Sequence, residues 1–229
     1  IKGKIIMGRQ LSLFEDINRI GATSLAEFRD KLADSNCTKC ILSESRARIV
    51  VSRGSPDANI MVVGRDPGSV EEKTGRPFTG PAGLCFDRLF DKVGIVTNQD
   101  MYISNTFRCR PPNNKLPSSV NVVLHCMKQC KNYLMEEIDL LKPSLIVALG
   151  KEAFANLYDK FPYQSTTTKV GDWVGNLYPS DLSKYGILFL YHPAYIVRNE
   201  NALSPIFVRH IVKHIDVIEK SLGRGLVIK

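Results

Sequence analysis

The chain has 229 residues, 44% of them hydrophobic and 24% charged, which suits one well-buried soluble domain with or without an N-terminal extension. Its longest apolar runs, such as residues 145–149, are far too short to span a bilayer, and no charged-then-apolar leader pattern is present, so the cytoplasm is the expected compartment. A net charge of +8 favours a polyanionic partner, because each phosphate neutralised releases a counterion.

In chain order, residues 1–20 carry little core pattern and are expected to form an extension that holds QLSLF at residues 10–14. Residues 21–229 are expected to fold as a single domain. Residues 23–33 read as a helix: Ser24 can cap it, Glu27 stands three residues on, and Leu25, Phe28 and Leu32 share one face. Arg46, Arg48 and Arg53 flank a short β-like run at 49–51. Strands are expected at 60–63, 101–104, 145–149 and 187–191. Helical patterns lie between them at about 82–93, 118–141 and 151–158, and a last amphipathic helix is expected over 205–222. This alternation predicts an α/β fold with a parallel sheet between helical layers. Residues 162–179 carry no clear pattern. Gly64, Asn105, Gly150 and His192 each follow a strand directly, so all four project toward one sheet edge, where open α/β sheets bind ligands.

The most informative segment is NIMVVGRDPGSVEEKTGRPFTGPAG, residues 59–83. Its first turn, GRDPG, sets the Asp66 carboxylate at the end of a strand. A second turn, GRPFTGPAG, brings Phe78 back toward the same place. A carboxylate and an aromatic ring on two rigid turns suit a planar polar ring such as a nucleobase. The six cysteines point to metal or cluster ligation rather than disulfides in a cytosolic chain. Cys37 and Cys40 form CTKC, Cys109 sits in RCRPP, and Cys126 and Cys130 lie one helical turn apart. An all-thiolate set of this kind suits zinc or an iron–sulfur cluster. Cys85 falls in an apolar helical pattern and reads as a core thiol, while His210 and His214 share a helical face with no third ligand and read as surface or packing residues.

Taken together, CTKC, GRDPGSVEEKTGRPFTGPAG, YISNTFRCRPPNNKLP, CKNYL, LKPSLIVALG and HPAYIVRN resemble the successive motifs of the uracil-DNA glycosylases. The nearest resemblance is to the iron–sulfur-containing family 4. It runs in family order from Cys37 to the C-terminal helix. It implies a three-layer α/β/α fold with a central four-stranded parallel sheet, and a monomer that accepts uracil flipped out of DNA and leaves an abasic site. A glycosylase for another deaminated base, or a weak or covalently attaching binder, is the rival expectation. The turn departs from the family 4 pattern Gly-Glu-Ala-Pro-Gly: Arg65 occupies the acid's place and the acid stands next, at Asp66, as in family 1.

On this resemblance, Asp66 would stabilise the cationic sugar and orient or deprotonate water, and His192 would donate to uracil O2. Asn105 would read the base edge, Phe78 would stack on the ring, and Glu71 would stand near the pyrimidine C5 edge. Gly64, Arg65 and Gly68 would complete the pocket. Ala194 to Asn199 would press on the DNA minor groove, with Ala194 at its start, Ile196 or Val197 filling the vacated stack and Arg198 on a phosphate. A [4Fe-4S] cluster would take Cys37, Cys40, Cys109 and one of the helical pair. CKNYL selects Cys130, whereas distance from Cys109 favours Cys126. QLSLF resembles the peptide by which bacterial repair proteins bind the sliding clamp, with Gln10 in one pocket and Leu13 and Phe14 in another.

Overall fold

The computed structural model describes residues 19–228. Along the chain run α1 (Leu25–Asp34), β1 (Ser52–Gly54), β2 (Ile60–Gly64), α2 (Ser69–Thr74), α3 (Pro81–Asp91), α4 (Thr97–Asp100), β3 (Met101–Asn105) and α5 (Val120–Leu141). There follow β4 (Leu145–Leu149), α6 (Lys151–Leu157), β5 (Asn176–Tyr178), β6 (Ile187–Leu190), α7 (Pro193–Ile196), α8 (Glu200–Val212) and α9 (Ile215–Leu222).

The strands form one sheet in the order β1-β3-β2-β4-β6-β5. Its inner four strands pair in parallel, as the sequence predicts. The expected count of four is corrected to six, because β1 and β5 add short antiparallel edges. Three residues are too few to show a period, which is why β5 escapes notice within 162–179. The ladder takes up residues 52–54, just beyond the β-like run at 49–51.

All of β2 is buried, and its alternate residues serve two cores. Ile60 and Val62 face α3, α8 and α9 through Phe86, Phe90, Phe207 and Ile218. Met61 and Val63 face α5 and α6 through Leu134, Ile138 and Phe154. Each such side chain contributes about 1.5–3 kcal/mol by leaving water, so the two layers hold β2 from both sides. Among the described residues, no helix is long and apolar enough to cross a membrane.

Helix ends follow local chemistry. Ser24 Oγ accepts from Glu27 N at 3.2 Å, and the Glu27 carboxylate accepts from Thr23 N at 2.6 Å. The single helix expected over 205–222 is instead two, α8 and α9, with the break at residues 213–214. There Lys213 Nζ donates to Asn176 Oδ1 at 2.8 Å and His214 Nε2 lies 3.1 Å from the Gly175 carbonyl oxygen, so contacts to the β5 edge replace helix continuity. Helix α8 also begins at Glu200, with Pro205 in its second turn.

Between the sheet and α5 lies a buried ion pair, Arg108 with Glu137. Tyr102 Oη donates to Glu137 Oε1 at 2.9 Å, Ser104 Oγ donates to Oε2 at 2.8 Å, and Arg108 Nη1 donates to the Val51 carbonyl at 2.8 Å. These bonds join β3, α5 and the approach to β1 beside Cys109. Removing one partner of a fully enclosed pair strands the other charge, at about 3–5 kcal/mol. Glu137→Ala should therefore lose about that much in denaturant unfolding. Asp139→Ala, which breaks a partly exposed pair with Arg19, should lose at most about 1 kcal/mol. Equal losses in the two variants would contradict this ranking.

Candidate active site

The parallel register sets Gly64 opposite Asn105 at the C-terminal edge of the sheet. A Cβ on Gly64 would stand 2.4 Å from Asn105 Oδ1 and 2.5 Å from the Phe78 ring, so only glycine fits here. Phe78 itself has φ of 54°, a conformation that aromatic residues rarely adopt. It is held there because Gly83, in the first turn of α3, packs directly against the Phe78 backbone: a Cβ on Gly83 would lie 1.9 Å from the Phe78 carbonyl oxygen. The Phe78 ring lies 5.2 Å from that of Phe86 and 5.9 Å from that of His192, centre to centre.

Glu71 joins the two turns. One carboxylate oxygen accepts from Gly68 N at 3.1 Å and the other from Gly80 N at 2.8 Å. The side chain expected at the pyrimidine edge therefore also serves as a clamp between GRDPG and GRPFTG. Gly68 is needed for this closeness, since a Cβ there would stand 2.7 Å from Glu71 Oε2.

The Asp66 side chain is only 4% exposed and is paired with Arg65. Burial pushes its carboxyl above the usual range; Arg65 opposes that rise, and Glu152 and Glu71 add to it. His192 begins α7, and its Nδ1 accepts from Ala194 N at 3.1 Å. That bond places the proton of a neutral imidazole on Nε2. Burial, helped by the nearby Arg65 charge, holds His192 down to about 3.

These groups surround one cavity of about 430 Å³, lined by Arg65, Asp66, Gly68, Glu71, Phe78, Asn105 and His192, with Ala194, Val197 and Arg198 at its rim. Asn105 Oδ1 is buried there without a hydrogen-bond partner among the described residues. Two of the predicted pocket and DNA-facing residues do not line the cavity: Gly64, which packs against Asn105 and Phe78, and Ile196. Ile196 is fully buried in the core, whereas its neighbour Val197 is exposed. The turn of α7 sends Ile196 inward, so Ile196 is corrected to a packing residue.

Sequence reasoning missed Asn114, which lines the same cavity. Asn113 and Asn114 both take left-handed backbone, with φ of 54° and 57°. Arg110 Nε donates to Asn114 Oδ1 at 2.7 Å, and Arg110 Nη1 lies 3.2 Å from Glu72 Oε2. The Asn-Asn pair in CRPPNNK was a usable signal, since asparagine tolerates that conformation.

Four of the cysteines gather away from this cavity. Cys37, Cys40, Cys109 and Cys130 line one small space with Arg108 and Tyr133. Cys126 adjoins that space: it packs with Leu42, Phe107, Val123 and Cys109 in an apolar cluster, and its thiol meets that of Cys40. Arg46 Nη1 approaches Cys109 Sγ at 3.5 Å. Among the described residues, no three His, Cys, Asp or Glu side chains form a group that could hold a single metal ion. Cys85 is buried in the core beside Phe86, as expected. His210 lies in α8 and packs near Tyr191, while His214 stands at the helix break, so the two do not share one helix. The QLSLF peptide lies outside the described residues.

The family model for the uracil DNA glycosylase superfamily matches residues 51–216. The type-4 uracil-DNA glycosylase of Thermotoga maritima is 35% identical over 187 residues, which is 80% of this chain and 90% of the relative. The type-4 enzyme of Pyrobaculum aerophilum is 34% identical over 165 residues, covering 71% and 80%. That of Saccharolobus solfataricus is 32% identical over 174 residues, covering 74% and 77%. Matched from the first strand to the last helix, the chain belongs to the uracil-DNA glycosylase superfamily, in company with its type-4 members.

Proposed function

We propose that this protein is a DNA-repair glycosylase that receives a uracil turned out of the DNA stack and hydrolyses its N-glycosidic bond. The carrying observation is the Asn105 amide, a buried acceptor without a partner beside Phe78. An unpaired buried acceptor costs about 1–3 kcal/mol. Uracil N3–H would satisfy it, and the amide N–H would donate to O4. Cytosine presents an acceptor at N3 and a donor at C4, so both contacts would fail.

Phe78 would stack on the ring, in the orientation that Gly64 and Gly83 impose. As the C1′–N1 bond breaks, its electron pair moves into the uracil ring and the sugar gains oxocarbenium character. The His192 Nε2–H would then donate to O2, where negative charge collects. Asp66 would face the cationic sugar and take the proton of the water that bonds to C1′. A neutral imidazole suits this work, since the donor is needed and a second positive charge beside Arg65 is not. On the rim, Val197 would enter the gap left in the stack and Arg198 would meet a phosphate.

Cys37, Cys40, Cys109 and Cys130 would hold a [4Fe-4S] cluster. The support is an all-cysteine donor set around one space, with the Arg46 guanidinium turned to Cys109. Bound there, the cluster would tie the segment after α1 to α5 and to the loop that carries Arg110 and Asn114. Glycosidic hydrolysis needs no electron from it.

Three outcomes test this reading. On single-stranded DNA with one uracil, Asp66→Asn and His192→Ala should each slow base release by at least about 10²-fold, and wild-type rates in both would reject the assigned roles. His192 titrates far below neutrality, so its imidazole NMR signals should not move between pH 8 and pH 5; a midpoint near the ordinary value would contradict the neutral-donor assignment. The purified protein should be brown with broad visible absorption. Cys130→Ser should lose that colour and Cys126→Ser should keep it, and the reverse would exchange the two ligands.

A further inference from the structure

Arg65 takes no part in the steps above, although it is the cation nearest to the reacting groups. Its backbone is pinned: Phe107 N donates to the Arg65 carbonyl at 2.9 Å, next to Thr106 N on the Gly64 carbonyl at 2.9 Å. The guanidinium reaches Asp66 side-on, Nε to Oδ1 and Nη2 to Oδ2, the latter at 3.5 Å. Side chains of neighbouring residues point apart in a strand; here the strand has ended at Gly64 and the chain bends at Arg65, so the two side chains can meet. A planar fork of this kind fixes the plane of a carboxylate as well as its charge.

The surroundings make that cation necessary. The Asp66 side chain is nearly enclosed; besides Arg65, the charged groups that act on it most are the acids Glu152 and Glu71, and Arg198 stands at the rim of the same cavity. His192 stands across the cavity and is neutral. Glu152, in the first turn of α6, also acts on Arg65, and Tyr163 Oη donates to Glu152 Oε1 at 3.4 Å. Lys151 stands 4.0 Å from Glu152 on the outer side. The Arg65 side chain is 38% exposed, so it can bring charge to Asp66 while part of it stays in water.

We infer that Arg65 is a positioning residue, which keeps the Asp66 carboxylate charged and turned toward the sugar. The inference rests on the role proposed above for Asp66. It gives a physical use to the Arg-Asp pair that replaces the glutamate expected in this turn. Without Arg65, the enclosed carboxyl would bind its proton at higher pH. The acid limb of base release would then move upward, since activity falls as pH drops through the ionisation of Asp66.

The test is the single-turnover rate of uracil release from single-stranded DNA between pH 5 and pH 9, for wild type, Arg65→Gln, Arg65→Lys and Asp66→Asn. Arg65→Gln should move its acid limb up by about one pH unit or more, which below the limb means at least about a tenfold rate loss relative to its own plateau. Arg65→Lys, with charge but no fork, should restore most of the limb and less of the plateau. Superimposable limbs in wild type and Arg65→Gln, with only a raised KM for DNA, would overturn the inference and make Arg65 a phosphate contact. Full activity in Asp66→Asn would instead reject the role of Asp66 itself. An Arg65→Gln protein that fails to fold leaves Arg65→Lys decisive: a plateau and limb both equal to wild type would show that the fork has no function.

Discussion

One steric constraint organises the active site: there is no room for a side chain at residue 64. β2 and β3 run in parallel register, so Gly64 faces Asn105 where the two strands end. The missing Cβ is what lets the amide oxygen and the Phe78 ring close over the strand end. Phe78 needs left-handed backbone to arrive there, and Gly83 and the Glu71 clamp hold it in that state. A base reader, a stacking surface and the Asp66 turn are thus positioned by contacts that need no substrate. Preorganisation of this kind removes ordering cost from the step of catalysis.

The electrostatics follow from the same burial. Asp66 is enclosed, so its charged form is penalised, and the folded carboxyl binds a proton more tightly than the unfolded one. The sign is the opposite of a stabilising acid: its contribution is most favourable at low pH and declines as pH rises through the unfolded value toward the folded one. His192 is penalised the other way and stays neutral down to about 3. Asp66 therefore weakens the fold at neutral pH, His192 weakens it only as pH falls below the ordinary imidazole value, and the surrounding structure offsets both. The two cores on either face of β2 and the Arg108–Glu137 network carry that burden.

Much of this was legible in the chain because it rests on short apolar runs followed by a polar residue. Ile60 to Val63 before Gly64, and the run before His192, announce buried parallel strands and the edge where they end. Asp66, Phe78, Asn105 and His192 all came from that pattern and from the family motifs, and one cavity joins them. What could not be read depends on three-dimensional partners. β1 and β5 are too short to carry a period. The break between α8 and α9 is made by Gly175 and Asn176, far away in sequence. Ile196 looked as available as Val197, because nothing in HPAYIVRN tells which side chain the turn of α7 will bury. The clamp made by Glu71 is equally silent, since its partners are backbone N–H groups of two glycines.

The most direct measurement is a crystal structure of the protein with uracil and abasic DNA, the products of its reaction. The account requires the uracil ring against Phe78, N3 within hydrogen-bond reach of Asn105 Oδ1, O2 within reach of His192 Nε2, and the sugar over Asp66. A ring bound elsewhere, or one that leaves the Asn105 amide oxygen unpaired and His192 turned away, would contradict it.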